Sequence, residues 1–319
     1  MKIFHKLIGI VLSLTLMTLI SGCGGGGDTA ATATSAASTG TVALSLTDAP
    51  LVDKNVTEVN IAVIGIEYNK DGNWITADDF VGPQTFNLLD LQNGNSLYLG
   101  DMVLPAGHYT EIRFILAAPK EGAKDAEIKS NPDCNITFSD GEIITSEPLF
   151  VPSGGQSGLK GKGTFDITAN AKISVTADFD VYKSIVEAGN SGKYLLKPVI
   201  RLVVTELSGM INGTVVDVAD YNATESLVVY SYENGTYSED ELVPNGDDGI
   251  IFGNSVSSGD VAMTDGNFTL AFLEEGSYSL ITALYIDNVF SGVVDMVDGI
   301  QVSTGGTTTV DVNTSDNTL

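Results

Sequence analysis

The side chains on which most catalytic and metal centres rely are scarce in this sequence. Two His, two Cys and one Trp are found among 319 residues. Zinc centres and Cys/His nucleophilic sites need clustered thiols and imidazoles, and so small an inventory excludes most of them. Cationic groups are also few: 15 Lys+Arg stand against 41 Asp+Glu, a formal net charge of −26. Binding to nucleic acid requires a cationic surface that displaces counterions from phosphates, so that class of partner is excluded. A long hydrophobic run is missing as well, since the apolar stretch from Leu7 to Ile20 falls short of the ~20 residues of a membrane span. What is present is apolar mass, 43% hydrophobic residues with only 18% charged, enough for folded cores.

The short apolar run follows Lys2 and Lys6 and ends in Ser21-Gly22-Cys23, the pattern of an export signal. Ile20-Ser21-Gly22-Cys23 resembles a bacterial lipobox. The resemblance implies cleavage before Cys23, a diacylglycerol on its thiol and acylation of the new amine. Several acyl chains hold a protein to a bilayer where one does so only marginally. Gly24 stands where an aspartate would favour inner-membrane retention, which points to the outer membrane of a Gram-negative cell. Residues 24–39 contain no large apolar side chain. They read as a flexible tether with a reach of roughly 20–25 Å. With Cys23 lipidated, Cys134 is the remaining thiol, and its loop-like setting between Asp133 and Asn135 reads as inert.

Beyond the tether, short alternating strands bounded by Gly, Asn, Asp and Pro predominate. Ile173, Val175, Ala177 and Phe179 alternate with Lys172, Ser174, Thr176 and Asp178, the period of a half-buried strand. Val56 to Tyr68 is apolar on both faces and suits a central strand. Val181 to Ala188, capped by Asp180 and stopped by Gly189, is the best helical candidate, at about two turns. Pro198 cannot donate to a ladder, so the strand from Tyr194 to Thr205 should be an edge or be bulged. The expectation is an all-β chain: two tandem antiparallel β-sandwich domains after a lipoprotein signal peptide (1–23) and tether (24–39).

A weak repeat places the domains. Gly40-Thr41-Val42 is followed by Leu104-Pro105-Ala106-Gly107-His108-Tyr109, and Gly213-Thr214-Val215 by Leu273-Glu274-Glu275-Gly276-Ser277-Tyr278. In Leu-x-x-Gly-x-Tyr, Gly permits a tight turn between two strands and Tyr packs as the second begins. The domains are thus expected at 40–205 and 208–313.

Several segments of the first domain resemble the bacterial domain of unknown function 4382 family, often found in lipoproteins. They are Leu46-Thr47-Asp48-Ala49-Pro50, Trp74, Asn87-Leu88-Leu89-Asp90-Leu91, the stretches 104–116 and 157–167, Ala177-Asp178-Phe179-Asp180 and the stretch 194–202. That resemblance implies a folded domain and brings no activity with it. Gly213-Thr214-Val215 and the stretch 265–280 look like the carboxypeptidase-regulatory or prealbumin-like sandwiches that trail secreted domains.

Candidate sites each have a plain alternative. Asp48, before Ala49-Pro50, either presents a carboxylate to a ligand or, as favoured here, caps a turn. His108 has no base or nucleophile near it in sequence and reads as a solvated turn residue. Trp74 either stacks on a sugar or packs in the core. The stretch 154–163 is Gly-rich with Lys160 and Lys162 but lacks P-loop spacing, and reads as a mobile hairpin loop.

Charge is distributed unevenly. From Glu206 to the C-terminus there are 19 acids and no Lys or Arg. The densest part, Glu239-Asp240-Glu241 with Asp247-Asp248, is a candidate loop for Ca²⁺, although it matches no calcium-binding motif. No other cofactor is implied. The resulting expectation is a non-catalytic, lipid-anchored outer-membrane protein, a scaffold or binding module for a protein or polysaccharide partner. A carbohydrate-binding module is the first alternative. A carboxylate-based hydrolase, which needs only two acids ~5–10 Å apart, is the second, and no motif selects such a pair.

Overall fold

Alternating hydrophobicity does become strand almost everywhere. The computed structural model describes residues 38–315 except 52, 54, 118–132, 153–156 and 245–248. In the N-terminal half the strands are β1 Thr39–Ala49, β2 Val56–Lys70, β3 Asn73–Thr76, β4 Gln84–Asn87, β5 Leu97–Pro105, β6 Gly107–Leu116, β7 Asn135–Ser139, β8 Ile144–Phe150, β9 Leu159–Ile167, β10 Lys172–Asp180, β11 Ile185–Glu187, β12 Tyr194–Leu196 and β13 Ile200–Val204. They hydrogen-bond in the order β11-β12-β8-β7-β2-β6-β9-β13-β10-β1-β5, with β3 and β4 on β2. The C-terminal half carries β14 Ser208–Val215, β15 Glu225–Glu233, β16 Ser257–Asp260, β17 Asn267–Glu274, β18 Gly276–Ile286, β19 Val289–Val302 and β20 Thr307–Val312. These form a three-stranded sheet, β17-β14-β20, and a four-stranded one, β16-β15-β18-β19. The all-β expectation holds.

The doubly apolar β2 is central: β6 and β7 pair along one edge while β3 and β4 pair along the other. Its Val59, Ile61, Val63 and Ile66 are fully buried in the main core of the N-terminal half.

The two halves repeat one plan, in a register that differs from the sequence-based pairing. In each, the first strand lies between an antiparallel and a parallel neighbour, β5-β1-β10 and β17-β14-β20. Thr39 faces Pro105 as Ser208 faces Glu274, and Thr41 faces Lys172 as Met210 faces Thr307. Gly107 faces Ile167 as Gly276 faces Val302. The counterpart of Gly40 is therefore Gly209 and not Gly213. On that pairing 67 residues separate Gly40 from Gly107, and the same number separate Gly209 from Gly276. A Cβ at Gly40 would lie 2.5 Å from Thr168 O, and one at Gly209 2.4 Å from Ser303 O. Both positions require glycine because a carbonyl crosses at that point.

The shared Leu-x-x-Gly-x-Tyr makes a corner rather than a hairpin turn. β17 and β18 belong to different sheets, and β5 and β6 are not ladder partners. Tyr109 donates its hydroxyl to Pro105 O at 2.7 Å, and Tyr278 to Glu274 O at 2.9 Å. The ring fills the core while its hydroxyl ties down the strand left behind, the device known as a tyrosine corner in other sandwiches.

Two features distinguish the N-terminal half. It inserts β7 and β8 between β6 and β9, and it adds β13, which pairs with β10 and bridges to β9. That bridge joins into one path what remains two sheets in the C-terminal half.

The predicted two-turn helix is a single turn, α1 Val181–Ser184, capped as expected by the Asp180 side chain on Lys183 N. Ile185-Val186 then turns extended as β11, in keeping with its β-branched pair, and Ser184 O is taken by Lys197 N. Pro198 breaks its strand outright into β12 and β13, which pair with different partners.

Candidate functional site

β1, β10 and β13 run side by side; β1 and β10 end where the antiparallel β13 begins, with Ala49 opposite Asp180 and Asp178 opposite Arg201. In a pleated strand alternate side chains share a face, so Thr176 and Asp178 lie on the side of β10 opposite Val175 and Phe179. Sequence patterning reads that as the water side. In the structure it is covered: Thr176 and Asp178 are only 2% and 8% exposed.

The groups on this face form a cluster. Arg201 Nη2 donates to Asp178 Oδ2 at 2.6 Å, and Arg201 Nη1 donates to Phe272 O of the C-terminal half at 2.9 Å. Phe272 has φ +55°, a conformation rare for a bulky residue. Lys183 Nζ lies 2.9 Å from Asp180 Oδ2 and donates to Ser255 O, again in the C-terminal half, at 2.7 Å. Asp48 Oδ1 accepts from Val181 N at 3.1 Å, and Gln92 Nε2 approaches Asp48 Oδ2 at 3.4 Å. Thr47 Oγ1 lies 2.6 Å from Asn95 O. Asp48 therefore caps α1 across the fold, and the turn-cap reading from its own neighbours is corrected: the residue lies inside β1 and its partner is 133 positions away.

Burial pushes the Asp48 carboxyl well above the ordinary carboxylate range, against the pull of the Val181 N–H, with Asp180 and Asp178 adding to the rise. Burial also raises Asp178, and the Arg201 guanidinium opposes it. A cavity of about 340 Å³ lies against the cluster, with Glu233, Glu274 and Tyr278 on its C-terminal wall. The segments that meet here, 46–50, 87–95, 177–184 and 197–202, include several of those carrying the family resemblance. Their charged heads anchor a capped turn and clamp carbonyls of the facing half. Asp180 was readable in the sequence as a helix cap, whereas Asp178, Lys183 and Arg201 carried no individual signal, because burial of a polar strand face depends on what packs over it.

The acidic candidates lie apart. Glu239, Asp240 and Glu241 occupy a 3-10 turn, Glu239–Leu242. Glu241 Oε2 accepts from Tyr232 Oη at 3.0 Å and from Asn254 N at 2.9 Å. Asp247, Asp248 and Cys23 fall outside the described residues. Among the described residues no group of three or more His, Cys, Asp or Glu is placed to hold a metal ion.

Cys134 is buried at the bend before β7, where Ala62 N approaches its Sγ at 3.4 Å, and burial pushes its thiol up to about 11. His108 is the second residue of β6 rather than a turn tip, exposed and 2.9 Å from its cross-strand neighbour Asp166. Trp74 is half-buried on β3, with Arg113 4.3 Å and Lys160 5.3 Å from the ring centre. Contrary to the loop reading of 154–163, residues from Leu159 onward are strand. A Cβ at Gly163 would lie 2.4 Å from Leu202 O, so this glycine lets β9 approach β13.

Residues 39–198 match the family model described as Domain of unknown function (DUF4382). No curated protein matches the chain. Among solved structures, the Bacillus anthracis TIE protein is 15% identical over 86% of this chain and 34% of its own length, with TM-score 0.20. The chain thus spans about a third of that protein. The shaft pilin SpaA of Lactobacillus rhamnosus GG is 11% identical over 86% of this chain and 96% of its own, at TM-score 0.20. BcpA, the major pilin subunit of Bacillus cereus, is 11% identical over 86% and 70%, also at 0.20. Scores of this size define no common fold.

Proposed function

The chain belongs to the DUF4382 family, and from that premise we propose that it is a non-catalytic, lipid-anchored scaffold or binding protein of the bacterial outer membrane. The observation that carries the reading is the use made of the cluster around Asp178 and Arg201. The cations of two ion pairs within the N-terminal half, Arg201 and Lys183, each donate to a backbone carbonyl of the C-terminal half, Phe272 O and Ser255 O, which is the work of a structural joint. The lipobox-like Ile20-Ser21-Gly22-Cys23 and the Gly/Ala/Ser/Thr-rich stretch after it support anchoring at Cys23. The C-terminal half is read as a prealbumin-like module. The strongly acidic surface suits an envelope protein or polysaccharide as partner and disfavours nucleic acid.

Fractionation of cells that express the full chain tests the anchor. Wild type should sediment with membranes, and Cys23→Ser should move to the soluble fraction. Membrane association that survives the substitution overturns lipid attachment at this residue.

A further inference from the structure

A second cavity, of about 630 Å³, is lined by residues of both halves, Tyr182 of α1 among them. Its size is that of a small-molecule site. Five aromatic side chains line it: Phe138, Tyr182 and Tyr194 from the first half, Tyr285 and Phe290 from the second. The remaining wall is largely aliphatic. The only charged side chains that line it, among the described residues, are two carboxylates, Asp53 and Glu187. Their field reaches the rings, since with Glu147 they help to raise the Tyr194 hydroxyl, behind burial as the main cause.

The polar groups at the site have distinct roles. Asn288 Nδ2 donates to Asp53 Oδ1 across the two halves at 3.1 Å, and Asn55 N donates to the same oxygen at 3.0 Å. Ile251 N donates to Tyr182 Oη at 3.3 Å, and Tyr285 Oη shares a 2.7 Å bond with Tyr230 Oη. The Tyr182 and Tyr285 hydroxyls are thus tied into the wall, while Asp53 Oδ2 and the exposed carboxylate of Glu187 are the charged groups that can meet a guest. Among the described residues that line the cavity, an anion would meet two negative charges and no positive one. An uncharged apolar guest would fill the volume and leave the carboxylates unused. A guest with an apolar body and a positive head uses both features, because aromatic faces attract cations and the carboxylates add Coulombic attraction.

We propose that this cavity binds an organic cation, an amine or quaternary ammonium attached to an apolar group, with its head between Asp53 and Glu187 and its body against the aromatic wall. This goes beyond the scaffold reading and stands independently of the lipid anchor.

Calorimetric titration of the full chain with benzyltrimethylammonium, benzyl alcohol and phenylacetate tests it. These probes share a benzyl group and differ in charge. The cation should bind at least tenfold more tightly than either of the others. The Asp53→Asn/Glu187→Gln double variant should bring its affinity to that of benzyl alcohol. Because two carboxylates among 41 barely alter net charge, that loss separates this site from general attraction to an acidic protein. Val289→Trp, at a rim residue 68% exposed and therefore tolerant of substitution, should block binding of every probe while the melting temperature stays unchanged. Failure of the cation to bind, equal affinities for the three probes, or cation binding that persists in both variants would each overturn the proposal.

Discussion

Arg201 and Phe272 are joined across the two halves of the molecule: one guanidinium nitrogen donates to the Phe272 carbonyl at 2.9 Å while the other binds Asp178 at 2.6 Å. One side chain therefore neutralises a buried carboxylate and holds a strand of the second half. Arg201→Ala removes both contacts and leaves Asp178 without its cation. Loss of one partner of a buried pair costs ~3–5 kcal/mol, and since the Arg201 side chain is a quarter exposed the lower end is expected here. Arg201→Lys should recover little, because an ammonium cannot reproduce the planar fork that reaches two acceptors. Urea unfolding midpoints measure this, and a midpoint shift below that of a surface substitution would show that the clamp carries no stability.

Tyr109 and Tyr278 make the same bond to the carbonyl four residues back. Tyr109→Phe and Tyr278→Phe should each cost about 1 kcal/mol. Tyr68 packs edge-on against Tyr109, with centroids 6.3 Å apart, but its hydroxyl is buried without a hydrogen-bond partner. Tyr68→Phe should be neutral or stabilising, the opposite sign for the same chemical change. Chemical denaturation of the three variants side by side decides between this account and one in which all tyrosine hydroxyls are equivalent.

Gly40→Ala and Gly209→Ala should destabilise by similar amounts, about 1–3 kcal/mol, because each new methyl meets a carbonyl oxygen. Gly292→Ala, in β19 with nothing within 4 Å of the added carbon, is the control and should cost nothing. If Gly209→Ala cost no more than Gly292→Ala while Gly40→Ala destabilised, the equivalence of Gly40 and Gly209 would be wrong.

Asp48 carries a folded-state carboxyl raised by burial. A folded protein that holds a proton the unfolded chain has released loses stability as pH rises, from the ordinary carboxylate value up to the folded one. The slope approaches ~1.4 kcal/mol per pH unit within that window. Asp48→Asn keeps an acceptor for Val181 N and removes the titration. Relative to wild type, the variant should therefore gain stability as pH rises above the ordinary carboxylate range. Melting profiles that run parallel over that rise would show that Asp48 does not titrate in the fold.

Strand existence was readable because side-chain alternation is local: Val175, Ala177 and Phe179 declare a buried face whatever their partners. The centrality of β2 was readable for the same reason, being apolar on both sides. The helix after Asp180 was half-readable, since its cap is local but its end is set by Lys197 N binding Ser184 O from a strand that follows. Asp48 was misassigned because its partner lies 133 residues away.

Composition and alternation alone determined that this is an all-β chain of low cationic content, with glycine and tyrosine marking two similar turning points. Those properties follow from the period of an extended backbone and from counting charges, and neither depends on distant residues. Only the tertiary structure decided which glycine answers to Gly40, which face of β10 is dry, and that Arg201 and Lys183 reach into the other half. The cavity lined by both halves is of the same kind. Burial and pairing are properties of surfaces brought together from remote parts of the chain, and they exist only once the two halves are in contact.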